Sequence, residues 1–188
     1  MRLLVLDNYD SFTYNLVYIL RQLGFDEQMD IYRNDKISID GVKVYDKILL
    51  SPGPGVPSEA GIMPELIKRY GSEKSILGIC LGNQAIGEAF ESKLLNLTEV
   101  LHGVGTSVTV EDDDLFKGIP KSFQIGRYHS WVIDEKSLGN ELKVIARSPD
   151  GQIMGVSHNN FDVKGLQFHP ESILTEHGVQ IIKNWITQ

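Results

Sequence analysis

Apolar positions along this chain follow two rhythms. In the first half, short unbroken apolar runs alternate with stretches whose apolar residues return every three or four positions. Arg2 to Leu6 reads as a buried strand. Phe12, Leu16, Ile19, Leu20 and Leu23 then keep helical spacing, with Ser11 placed to cap the helix and Gly24 to stop it. Strands are predicted over Gln28 to Tyr32 and Lys47 to Leu50. The second runs into Ser51-Pro52-Gly53-Pro54-Gly55-Val56-Pro57, which neither a helix nor a ladder survives, so this is a shaped loop. A helix follows over Met63 to Tyr70, a strand over Ile76 to Ile79 and a helix over Gln84 to Phe90.

Strands alternating with helices predict an α/β fold with a mostly parallel central sheet flanked by helices. The later chain reads differently. Leu142 to Ala146, Ile153 to Ser157 and Val163 to Phe168 are strand-like and are separated by Ser148-Pro149-Asp150-Gly151 and His158-Asn159-Asn160, both turn-forming. This predicts an antiparallel extension of the same sheet. Val179, Ile182, Trp185 and Ile186 mark a C-terminal helix. No repeat or linker interrupts residues 1–188, so a single domain is expected.

Composition narrows the class. Hydrophobic residues make up 41% and charged residues 23%, an ordinary globular balance. A formal net charge of −7 leaves no basic excess for a nucleic-acid or anionic-membrane surface. The opening apolar run is too short for a signal peptide or a membrane span. One cysteine cannot form an internal disulfide, which fits a reducing cytoplasm.

That cysteine carries the candidate chemistry. Gly78-Ile79-Cys80-Leu81-Gly82 is a G-x-C-x-G turn between a strand and a helix, the setting of a nucleophile elbow. The helix N-terminus then points at the sulfur and favours thiolate. A buried structural cysteine is the plain alternative. A thiolate nucleophile needs a base and a group that orients it. Of the five histidines, His169 stands out, in Phe168-His169-Pro170-Glu171 at the end of a strand. In extended backbone residues i and i+2 share a side, so Glu171 is expected beside the imidazole. Acyl transfer also needs oxyanion donors. The elbow offers the Leu81 N–H; within the Ser51 to Val56 loop only Gly53 and Gly55 offer a second, since Pro52 and Pro54 have none.

Four segments together resemble the class I glutamine amidotransferases: Ser51-Pro52-Gly53-Pro54-Gly55, Gly78-Ile79-Cys80-Leu81-Gly82, Gly126-Arg127-Tyr128-His129-Ser130 and Phe168-His169-Pro170-Glu171. The likeness runs from about Leu3 to Gly178. The opening Asp7 to Leu16 and the ending Ser172 to Gly178 resemble one branch, the small subunits of anthranilate synthase and aminodeoxychorismate (p-aminobenzoate) synthase.

The resemblance implies a catalytic set of Cys80, His169 and Glu171 acting on glutamine. It implies oxyanion and substrate contacts from Gly53, Pro54, Gly55, Leu81, Gln84, Ser130 and Trp131. It implies no metal or other cofactor in this chain, Mg²⁺ belonging to the partner. That partner would be a large chorismate-binding synthase subunit, in a heterodimer or heterotetramer, which receives ammonia and makes aminodeoxychorismate or anthranilate. Tyr9, Phe12 and Tyr14 are candidates for its docking surface. The chain departs from the family pattern at Asn83, where His is frequent, at Val104, where Lys is usual, and at Trp131, where Leu is common. Two other readings remain: a catalytically silent docking module, and an independent amide or γ-glutamyl hydrolase.

Overall fold

A computed structural model describes all 188 residues. Its frame is a nine-stranded sheet. The parallel part contains β1 (Leu3–Asp7), β2 (Met29–Arg33), β3 (Lys47–Leu50) and β4 (Ser75–Ile79). Two short strands, β5 (Leu94–Asn96) and β8 (Trp131–Ile133), form a separate antiparallel pair. The antiparallel extension contains β6 (Val104–Val110), β7 (Ser122–Arg127), β9 (Leu142–Arg147), β10 (Ile153–His158) and β11 (Val163–Leu166). Strand order is β2-β1-β3-β4-β11-β10-β9-β6-β7. β11 is the seam: it runs parallel to β4 on one side and antiparallel to β10 on the other.

The alternation of β1 explains the layers. Leu3 and Val5 face one core, with Leu16, Val17 and Leu20 of α1 (Thr13–Gln22) and Ile181, Ile182 and Trp185 of α4 (Gly178–Ile186). Leu4 and Leu6 face the other, with Leu66 and Ile67 of α2 (Met63–Tyr70) and Ala85 and Ile86 of α3 (Leu81–Ala89). A strand buried on both faces reads as one continuous apolar run, as the sequence shows.

Most predicted elements recur with ends shifted by a residue or two. α3 starts earlier than predicted, at Leu81, so it begins directly after Cys80. Four strands, β5 to β8, were not predicted. The Ser11 cap is not formed. Asp10 Oδ1 accepts from the Phe12 N–H at 2.7 Å, while Asp7 Oδ1 accepts from the N–H groups of Tyr9 and Asp10 and from Thr13 Oγ1. Carboxylates at the strand end and in the turn satisfy this corner and leave Ser11 exposed. Gly24 does stop α1: its N–H donates to Arg21 and the Phe25 N–H to Leu20, the paired bonds of a Schellman ending.

Candidate active site

The carboxyl ends of β1, β3, β4 and β11 reach the same edge of the sheet, where open α/β sheets hold their ligands. Cys80 follows β4. Its backbone is left-handed in φ, at φ 52 and ψ −99, a strained state for a residue with a side chain. The flanking glycines make this turn possible. A Cβ on Gly78 would lie 2.5 Å from the Gly82 carbonyl carbon, and one on Gly82 would lie 2.7 Å from the Leu50 carbonyl oxygen. The Cys80 N–H donates to Leu166 O at 2.8 Å, pinning the elbow to β11. The first α3 N–H groups, beginning with Leu81, lie at an uncompleted helix end.

β11 leads through Gln167 and Phe168 to His169, which is buried. His169 Nδ1 lies 2.6 Å from Glu171 Oε1, and neither side chain reaches solvent to any extent. The predicted contact is present, but its backbone differs from an extended strand. The Ser172 N–H donates to His169 O at 3.2 Å, so a turn through Pro170 brings Glu171 back to the ring. Burial alone pulls the imidazole down. The Cys80 sulfur and the Glu171 carboxylate outweigh it and raise His169 to about 10. Its Nε2 is buried and has no hydrogen-bond partner. Phe12 and Tyr128 pack on the ring, with centroids 5.5 and 4.9 Å away.

Gly53, Gly55, Cys80, Gln84, Tyr128, His129, Ser130 and Trp131 enclose a cavity of about 140 Å³. The N–H groups of Gly53 and Gly55 make no internal hydrogen bond. Gln84 Nε2 donates to the Trp131 carbonyl at 3.0 Å, tying α3 to the opposite wall. Pro54 and the Leu81 side chain line a neighbouring cavity with Asn8, Tyr9 and Glu59 instead. What Leu81 offers the sulfur side is its backbone. Tyr9 and Tyr14 are exposed, whereas Phe12 of the same segment turns inward to His169. Val104 opens β6 at the surface.

Three residues of the site were not singled out from sequence. Tyr128 donates to or accepts from Ser172 Oγ at 3.0 Å while its ring braces His169. His129 is buried against Arg127, whose Nε donates to His129 Nε2 at 3.3 Å. Burial, then the Arg127 and His169 charges, push His129 down to about 3, so it stays neutral with its proton on Nδ1. Gln167, fully buried, reaches the Cys80 sulfur. The signal for it was a polar residue inside the apolar run Gly165-Leu166-Gln167-Phe168, since a buried polar group is the informative exception in a core.

A strained cysteine elbow, an adjacent histidine–glutamate pair and free backbone donors around a small cavity are the groups that thiol-dependent acyl transfer requires. The chain belongs to the class I glutamine amidotransferase family, whose description "Glutamine amidotransferase class-I" matches residues 4–188. It is similar to anthranilate synthase component 2 of Mycobacterium tuberculosis, 44% identical over 100% of this chain and 82% of that protein. Aminodeoxychorismate synthase component 2 of Escherichia coli is 41% identical, over 98% of each chain. Aminodeoxychorismate/anthranilate synthase component 2 of Bacillus subtilis is 38% identical, over 98% of this chain and 95% of that one. Against the longer Bifunctional protein TrpGD of Thermotoga maritima it is 42% identical but spans only 32% of that protein. The fold matches the crystal structure of a candidate GMP synthase component from Thermoplasma acidophilum with TM-score 0.88 and 28% identity, covering 100% of this chain and 92% of that one.

Proposed function

We propose that this amidotransferase is the glutaminase subunit of a chorismate-aminating synthase. The observation that carries the chemistry is the convergence of Cys80, at a strained elbow, with a buried His169–Glu171 pair beside one small cavity. With His169 raised to about 10, its Nε2 already holds the Cys80 proton at neutral pH, and Cys80 Sγ attacks the side-chain carbonyl carbon of glutamine as the thiolate. Glu171 accepts from Nδ1–H and stabilises the imidazolium that holds this proton on Nε2. The Leu81 N–H and that of Gly53 or Gly55 receive the developing oxyanion. His169 returns the proton to the departing nitrogen, the C–N bond breaks and ammonia leaves a γ-glutamyl thioester. Water, deprotonated by His169, attacks the thioester and releases glutamate and the thiol. Gln84, Ser130 and the Trp131 carbonyl hold the glutamine head group, with Gln84 fixing that carbonyl in place.

Ammonia then passes to a large subunit that binds chorismate and carries its own Mg²⁺. The names of the relatives support such a partner, because each single-function one is component 2 of a two-component synthase. No helix is long and apolar enough to cross a membrane. With its single free cysteine, the chain fits the cytoplasm, where we place the reaction. The test is reconstitution with glutamine, chorismate and Mg²⁺ and, in turn, each chorismate-aminating large subunit from the same source. Glutamine-dependent anthranilate, aminodeoxychorismate or both supports the proposal and assigns the pathway. Neither product, with both large subunits active on free ammonia, overturns it.

A further inference from the structure

Gln167 sits where the mechanism leaves a gap. The proposed steps give the Cys80 sulfur one partner, His169, and give the oxyanion its donors, but assign no role to the second polar group that reaches the sulfur. Gln167 Nε2 lies 3.6 Å from Cys80 Sγ, a hydrogen-bonding separation for the large sulfur atom. The orientation of this amide follows from its other end. Gln167 Oε1 accepts from Asn83 Nδ2 at 3.3 Å and from Gln84 Nε2 at 3.4 Å. Two amino groups cannot both donate to a third, so the carbonyl must face them and the –NH₂ must face the sulfur. All three amides are buried, so water does not compete with these bonds.

We infer that Gln167 is a catalytic residue of the cysteine site: its N–H donates to Cys80 Sγ, aims the sulfur into the cavity and stabilises the negative charge it carries before attack. The inference rests on the amidotransferase reading and extends it. A hydrogen bond to an ionised acceptor is stronger than one to a neutral acceptor, so the interaction favours the attacking form. The same chain of amides reaches the substrate wall, because Gln84 Nε2 donates to both Gln167 Oε1 and the Trp131 carbonyl. Asn83, the position at which the chain departs from the family's frequent histidine, acquires a role in this arrangement: it is one of two groups that fix the amide of Gln167.

The chain has one cysteine, so alkylation reports on Cys80 alone. The experiment compares iodoacetamide labelling at fixed neutral pH for the full-length wild type, Gln167→Met and Asn83→Ala. Gln167→Met keeps the length of the side chain and removes the donor to the sulfur together with the Oε1 acceptor of Asn83 and Gln84. Labelling is expected to slow about tenfold in Gln167→Met and by a smaller factor in Asn83→Ala, because a charge-assisted donor is lost or loosened. In the complex with the large subunit, kcat for glutamine should fall at least about tenfold with KM within about twofold, since the lost contact is to the sulfur and not to substrate. A purely structural role predicts the opposite sign, because loosened packing exposes the sulfur and speeds labelling. Unchanged or faster labelling in whichever variant folds overturns the inference. Failure of the underlying reading shows separately, as full glutamine-dependent synthesis by Cys80→Ala.

Discussion

His169 Nδ1 and Glu171 Oε1 meet at 2.6 Å inside the protein, and the bond is made across a turn rather than along a strand. The carboxylate fixes which ring nitrogen faces Cys80. Glu171→Gln keeps the shape and weakens the charge assistance. It is expected to lower kcat for glutamine by roughly two orders of magnitude while ammonia-dependent synthesis by the complex is unchanged. Steady-state rates with each nitrogen donor check this.

The two buried histidines are shifted in opposite directions, and each shapes one limb of the stability profile. His169 is raised from 6.5 to about 10, so the stabilisation from its ion-paired form is complete below 6.5 and is lost as pH rises through 10. His129 is lowered from 6.5 to about 3, so its contribution is complete above 6.5 and is lost as pH falls toward 3. Denaturant midpoints measured across this range should peak near neutral pH. Glu171→Gln should flatten the alkaline limb, and His129→Gln the acid limb.

Gly78 has no room for a methyl group. Its Cβ would lie 2.5 Å from Gly82 backbone atoms and 2.8 Å from Ile86 Cδ1, so the first turn of α3 has to move away from the sheet. Gly78→Ala is expected to destabilise by roughly 3 kcal/mol and to abolish glutamine turnover, because overpacking displaces the nucleophile. Urea unfolding and the glutaminase rate read the two effects.

The corner before α1 gives a paired test. Asp7 is buried and accepts from three donors, so Asp7→Ala leaves them unsatisfied and should cost about 2 kcal/mol. Because the corner positions Phe12 against His169, glutaminase activity should fall too. Ser11 caps nothing in the structure, so Ser11→Ala should stay within about 0.5 kcal/mol of wild type. Thermal unfolding of both variants distinguishes the carboxylate corner from a serine cap.

The parallel half of the fold was legible because β1, β3 and β4 are buried on both faces and read as apolar runs between helical stretches. β6 and β7 were not. Val104-Gly105-Thr106-Ser107 is half exposed and carries glycine and hydroxyl residues, so neither rhythm stands out, and its pairing with β7 supplies what local pattern does not. β5 and β8 are three residues each and have too little length for a period. Cys80, His169 and Glu171 were legible because glycine and proline around them restrict the backbone in recognisable ways. Arg127 and His129 lie in a segment quoted from sequence but received no role of their own, and Gln167 was not singled out, since its place depends on bonds to Asn83 and Cys80 that only the folded sheet brings together.

The measurement to make is the nitrogen-donor dependence of Cys80→Ala in complex with its large subunit. The predicted result is loss of glutamine-dependent amination of chorismate, by several orders of magnitude, with the ammonia-dependent rate intact. Glutamine-dependent synthesis at the wild-type rate would contradict the assignment of Cys80 as the nucleophile, and with it the mechanism built on this elbow.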